Sequence, residues 1–330
     1  MFKAARLARL VSAIVGFGIT SAIAFGVPDS YGRTSVSVQP KNYHASIRVY
    51  SNGYYSAAPK FVLNQTSCPP YKEAAKRVET LDSILRQHYS QISSPQDNAG
   101  EAKLGYLTDV LMKQQVVVVA WYEGEQEGRV GYGIRVATDS VLTVDHILTK
   151  PVSVTEEDGS ISEKIKTAYS IVVYDMNGRG RYVDTGRTNP INDAALLHVS
   201  TSEDSEPTGV KLGVSDSLFK GQSILVMSPQ YQLDSGIKVD PGVHTTSHGY
   251  VTAAVDGNVL TTVKAPRGVS GSSVFNLTGG LVGLIIVGFD DYDDLKRMHN
   301  SEAVNTIHLA DLMRDEANKL RSCLQSVDKE

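Results

Sequence analysis

The chain has 330 residues, of which 41% are hydrophobic and 21% charged, with a formal net charge of −4. That balance fits a globular protein with a substantial core and excludes a disordered or multi-span chain. No basic run is dense enough for a nucleic-acid footprint, so no nucleic-acid partner is expected.

Lys3, Arg6 and Arg9 precede a charge-free apolar stretch from Leu10 to Val27. A positive start, an apolar middle and small residues at Ala22-Ile23-Ala24 have the layout of a secretory signal, assigned to residues 1–26. A secreted or periplasmic location follows. The alternative is an uncleaved anchor through residues 10–27, the only membrane contact expected.

Residues 27–112 form an N-terminal extension. Its first part is rich in Ser, Tyr, Asn and Pro and reads as irregular. Pro69-Pro70 then opens a helical pattern in which Ala74, Val78, Leu81, Leu85 and Ile92 make one apolar stripe. Cys68 and Cys323 lie far apart in the chain; in an exported protein they either pair, tying the extension to the C-terminal segment, or stay as separate thiols.

From Gln115 the period changes. Val116 to Trp121 is apolar and β-branched, and similar short runs recur at 133–137, 141–144, 171–174, 195–199, 224–227, 249–253, 259–263 and 281–288. Short strands at this spacing, broken by Gly, Asp, Asn and Pro, predict an all-β sandwich or barrel over residues 113–330. A last stripe of Leu309, Leu312, Met313, Ala317, Leu320 and Leu324 predicts a C-terminal helix packed on it.

Three segments carry the chemistry. Val141-Leu142-Thr143-Val144-Asp145-His146 ends a strand on a histidine. Asn192-Asp193-Ala194-Ala195-Leu196-Leu197 starts one on an aspartate. Gly268-Val269-Ser270-Gly271 offers a serine between glycines, ahead of the strands Ser273-Val274-Phe275 and Leu281 to Gly288. The order His, Asp, Ser, with gaps of 47 and 77 residues, suits a nucleophile, its base and the carboxylate that orients the base.

These segments resemble those of chymotrypsin-fold serine proteases, nearer the bacterial trypsin-like and HtrA-type branch than the digestive enzymes. Gly131-Tyr132-Gly133-Ile134 with Leu142-Thr143-Val144-Asp145-His146 is similar to the family's histidine segment. Asn192 to Leu197 is similar to "D-x-A-L-L", and Gly268 to Phe275 to "G-x-S-G-[GS]-P-V-F". The resemblance covers about residues 113–312. It implies a double six-stranded β-barrel of chymotrypsin type, here with an N-terminal helical extension and a C-terminal helix. It implies an endopeptidase acting on protein or peptide substrates, with the triad His146, Asp193 and Ser270. The backbone N–H groups of Gly268 and Ser270 would bind the oxyanion.

Three positions depart from the pattern. Asp145 stands where a small residue is usual, and its side chain is expected to point to solvent. Ser272 and Ser273 replace Gly and Pro and carry no required functional group. Val269 replaces the carboxylate that digestive members use to receive a freed N-terminal ammonium. By analogy Lys264 lies at the base of the specificity pocket, with Ile286, Val287 and Gly288 on its wall; the apolar wall favours a small or aliphatic P1 residue.

No cofactor and no metal is called for. His244 and His248 stand in a loop rather than on a helix, and Asp290, Asp291, Asp293 and Asp294 read as a solvated acidic loop. Two other functions fit less well: a chymotrypsin-fold binding module without activity, and an α/β-hydrolase esterase using Ser270, Asp290 and His299. The esterase lacks a fifth-position glycine after Gly268-Val269-Ser270-Gly271, and helices between its strands. The oligomeric state is not encoded legibly.

Overall fold

The computed structural model describes residues 49–50, 60–92, 104–125, 127–199, 209–215, 218–232, 238–255, 258–265, 268–288 and 301–327. The signal segment, the 10–27 stretch, the acidic cluster at 290–294 and His299 lie outside them.

Two closed barrels make up the centre. The first contains β3 (Gln115–Trp121), β4 (Glu127–Ala137), β5 (Ser140–Thr143), β8 (Ser170–Tyr174), β9 (Gly180–Asn189) and β10 (Ala194–Val199). Neighbours run in the order β4-β3-β8-β9-β10-β5, and the β4–β5 pairing closes the ring. Two short strands attach outside it: β1 (Val49–Tyr50) pairs with β4, and β2 (Val62–Leu63) runs parallel to β9. The second barrel is β11 (Ser223–Gln232), β12 (Lys238–Val255), β13 (Asn258–Thr261), β16 (Ser301–Asn305), β15 (Leu281–Gly288) and β14 (Ser273–Asn276), closed in that order. All pairings within the two rings are antiparallel. The expected double six-stranded β-barrel is what forms.

Why the apolar run in β3 is continuous is now plain. Every residue from Gln115 to Trp121 is buried. Val116 to Ala120 share one core cluster with Leu225 and Met227 of β11 and Phe275 of β14. A strand covered on both faces has no solvent side to alternate with. At its end Gln115 is held across the barrels by the Ser273 hydroxyl, which donates to Gln115 Oε1 at 3.0 Å.

Among the described residues, four helices flank or interrupt the sheets. α1 (Tyr71–Ile92) begins directly after Pro70, whose carbonyl accepts the N–H groups of Glu73 and Ala74. α2 (Leu104–Met112), which the sequence analysis does not anticipate, leads into β3, and α3 (Asp145–Leu148) is a single turn after β5. α4 (Thr306–Val327) follows β16 without a break. Ala74, Leu81 and Leu85 of α1 and Leu309, Met313, Ala317 and Leu320 of α4 are buried in the same cluster as the first barrel. A disulfide joins Cys68, just before α1, to Cys323 in the last turns of α4, with the Cα atoms 5.5 Å apart.

A hairpin of β6 (Thr149–Thr155) and β7 (Ile161–Thr167) leaves the first barrel after α3. Lys150 and Lys166 on it both pair with Glu125, beyond the end of β3, the latter at 2.8 Å. Its polar alternation hid it from the sequence reading, as it hid β9.

Candidate active site

The site forms where β5 ends, where β10 begins, and where the chain turns into β14. β5 stops at Thr143, and α3 makes one turn with His146 on it. The N-cap residue Val144 has no side chain able to cap that turn. Asp193 does so from 47 residues away: its Oδ1 accepts the His146 backbone N–H at 2.8 Å. Its Oδ2 lies 2.6 Å from His146 Nδ1. A carboxylate only accepts, so the proton of that bond sits on Nδ1. Asp193 reaches this position from the turn before β10 with a φ of 49°, a left-handed conformation that aspartate tolerates better than most residues. The two side chains keep 23% and 25% exposure, enough to meet a substrate.

The serine turn is pinned to the same place by β4. The Tyr132 N–H donates to the Ser270 carbonyl at 2.8 Å, while the Tyr132 carbonyl accepts the Thr143 hydroxyl at 2.6 Å. One residue of β4 thus holds both the strand that leads to His146 and the turn that carries Ser270. Gly131 shows how close the two run: a Cβ there would overlap Ile147 Cδ1 and lie 3.0 Å from the Ser270 carbonyl oxygen. Gly271 is equally constrained, since it has a φ of 84° and a Cβ on it would overlap the Tyr132 carbonyl.

Beyond Ser270, the Gly271 N–H donates to Ile285 O at 2.7 Å and the Ser272 N–H to Val269 O at 2.9 Å. Among the described residues no hydrogen bond engages the N–H of Gly268 or of Ser270. Gly268 has a φ of 89°, a left-handed conformation that favours glycine.

Several contributors have no signal in the sequence. Arg129 of β4 donates from Nη1 to the carbonyls of His146 and Thr149, at 2.6 and 3.0 Å, closing the C-terminal end of α3. The Tyr122 hydroxyl donates to Ile147 O at 2.8 Å, and the Lys150 ammonium sits 4.6 Å from the centre of its ring. Burial pushes the Tyr122 phenol well above its usual range, so it stays a donor. Neither residue lies at a fixed offset from a motif; only the pairing of β3, β4 and the turn brings them together.

One expectation needs correction. Asp145 does not point to solvent: it is 6% exposed, and its Oδ2 accepts the Thr149 hydroxyl at 2.9 Å. The residue opens a helix turn whose first peptide faces the Asp193 carbonyl, to which the Asp145 N–H donates at 3.3 Å, and this folds the side chain inward. Ser272 and Ser273 are fully buried and bonded, the first to Ser228 at 2.6 Å and the second to Gln115. They stitch β14 to β11 and to the first barrel.

The specificity positions fall in different settings. Ile286 is partly buried against the main core on β15, the strand hydrogen-bonded to the serine turn through Ile285 and Ser272. Val287 and Gly288 end that strand. Lys264 lies exposed beyond β13, and among the described residues no hydrogen bond or ion pair joins it to the serine turn. His248 and His244 both lie on β12, so they are not a helical pair, and among the described residues no cluster is suited to a metal ion.

Residues 131–284 match the family model described as "Trypsin-like peptidase domain". The matched segment contains His146, Asp193 and Ser270 and most of both barrels, and the double barrel has the chymotrypsin fold. Among solved structures the chain is similar to an HtrA-type protease, AlgW, determined with a tripeptide. The two are 16% identical with a TM-score of 0.45, and the match covers 64% of this chain and 62% of that one, so the chain spans less than two thirds of that structure. A comparison with curated proteins finds no match.

Proposed function

We propose that the protein is an exported serine endopeptidase working through His146, Asp193 and Ser270 and a covalent acyl-enzyme. The supporting observation is the hydrogen-bonded His146–Asp193 pair, with Tyr132 bonded both to the strand leading into it and to Ser270. In the reaction, His146 Nε2 takes the Ser270 proton as Oγ attacks the scissile carbonyl. Asp193 holds the ring tautomer and balances the imidazolium charge. The N–H groups of Gly268 and Ser270 stabilise the oxyanion. His146 then returns the proton to the leaving amine, and water attacks the acyl-enzyme by the same route in reverse.

Export is supported by the N-terminal signal pattern and by the Cys68–Cys323 disulfide, which belongs to an oxidising compartment. Residues 113–330 constitute the catalytic domain in this reading, with 27–112 as an extension whose α1 braces it. The substrates are proteins or peptides, with a small or aliphatic P1 residue favoured by the apolar Ile286 beside the turn.

A fluorophosphonate probe is expected to label Ser270 in the folded protein. Ser270→Ala and His146→Ala should each lower peptide cleavage by on the order of 10⁴-fold or more. Properly folded protein that resists the probe would instead be a binding module on this fold. Cleavage of esters but never of peptides would exclude the endopeptidase.

A further inference from the structure

The turn α3 that carries His146 is four residues long, too short to hold itself by its own hydrogen bonds. Its carbonyls show what holds it instead. Asp145 O accepts the Thr149 N–H, and Leu148 O accepts the Ala168 N–H at 2.8 Å. The two carbonyls between them are taken by side chains of the first barrel. Arg129 Nη1 donates to His146 O at 2.6 Å, and the Tyr122 hydroxyl donates to Ile147 O at 2.8 Å. Arg129 Nη1 also reaches Thr149 O at 3.0 Å, so one nitrogen grips the turn at His146 and again where the chain enters β6.

His146 is therefore held from two sides. Asp193 accepts its backbone N–H and its ring Nδ1–H, while Arg129 holds its carbonyl. A charged donor makes the stronger kind of hydrogen bond. This second support is itself braced. The Arg129 guanidinium carbon lies 5.7 Å from the centre of the Tyr122 ring, and Lys150 Nζ lies 4.6 Å from it. Glu125, between Tyr122 and Arg129 in the chain, pairs with Lys150 and, at 2.8 Å, with Lys166. Two residues beyond Arg129, a Cβ on Gly131 would come within 2.0 Å of Ile147 Cδ1, so β4 runs directly against the turn.

We propose that Arg129 is a positioning residue for His146: its guanidinium, with Tyr122 beside it, fixes the turn so that the imidazole stays on Asp193. Arg129 itself touches no reacting atom. The proposal rests on the triad reading for its effect on rate, but not for the hold on the turn. With Arg129 removed, the turn keeps its bonds to Asp193 for only part of the time. A base displaced from its geometry slows the proton-transfer step and leaves substrate contacts elsewhere unchanged.

Backbone amide exchange reads the hold directly. In Arg129→Ala the His146 N–H is expected to exchange about tenfold faster, or more, relative to the Val118 N–H in β3. Peptide cleavage should lose on the order of 10²-fold in kcat, with KM within about twofold of wild type. Guanidinium ion at millimolar concentration should restore part of that rate. Tyr122→Phe removes only the bond to Ile147 O; it should move both readouts in the same direction by less, and it carries the test if Arg129→Ala does not fold. Cys68→Ser, remote in sequence, serves as the control for lost stability. A residue that serves only the fold would speed exchange at His146 and Val118 alike, leave the kcat of folded protein unchanged and give no response to guanidinium. That result overturns the proposal. Selective exchange at His146 in a protein that is never labelled at Ser270 would leave the positioning role standing and refute the endopeptidase.

Discussion

Val269 illustrates how a single side chain reports on regulation. It is partly buried and packs against both apolar clusters, one from the first barrel and helices and one inside the second barrel. An apolar residue there anchors the serine turn by packing, without a charge that needs a partner. The turn is therefore organised in the intact chain, and full-length protein should react with a fluorophosphonate as fast as N-terminally trimmed protein. Activity that appears only on trimming, and vanishes when the new amine is acetylated, would contradict this. The candidate side chains His146, Asp193 and Ser270 were legible in the sequence because each sits in a short local motif. The inward turn of Asp145 was not, because it depends on the Asp193 carbonyl 48 residues downstream.

At the scale of elements, the terminal helices behave as one brace. α1 and α4 share the core of the first barrel, and the Cys68–Cys323 bond closes a separation of 255 residues. The chain-entropy model assigns a loop of that length about 5 kcal/mol, acting on the unfolded chain. Cys68→Ser is expected to lower unfolding stability by about 2–5 kcal/mol while leaving fluorophosphonate labelling of the folded protein intact, since the bond is remote in sequence from every site residue. Denaturant titration against the labelling rate separates the two effects; lost labelling at unchanged stability would mean that α1 takes part in the site. Apolar periodicity announced both helices, whose observed bounds exceed the predicted stripes by a few residues. The strands β6, β7 and β9 escaped notice because their exposed faces alternate polar residues without a β-branched run.

Across the whole molecule, one buried cluster ties barrel to brace and sets the response to acid. His198 of β10 is 2% exposed, and among the described residues neither ring nitrogen has a hydrogen-bond partner. Glu316 of α4 stands 3.8 Å from its Nε2 and is itself committed to Arg187 of β9 at 3.1 Å. Burial, with the charges of Arg77 and Lys319 adding to it, depresses the His198 pKa to about 3. An unfolded histidine takes its proton near 6.5, so between about 6.5 and 3 the unfolded chain binds more protons than the folded one. Stability from this group is complete above that window and is lost as the pH falls through it. Urea midpoints should drop steeply from pH 7 to pH 4 in wild type and more gently in a folded His198→Leu variant. Parallel slopes would mean that His198 is not the group responsible.

What the sequence determined by itself is what local spacing encodes: short apolar, β-branched runs for most of the strands, a helical period for α1 and α4, and three motifs in the order His, Asp, Ser. These survive any particular packing, because hydrophobic alternation and glycine turns act within a few residues. Tertiary structure alone decided which strands close the two rings, that Cys68 meets Cys323, and that Tyr132 bonds to both sides of the site. It also decided that Asp145 is buried beside the pair it borders. Each of these depends on segments tens to hundreds of residues apart meeting at a fixed register, and register is set by the whole barrel rather than by any stretch of it.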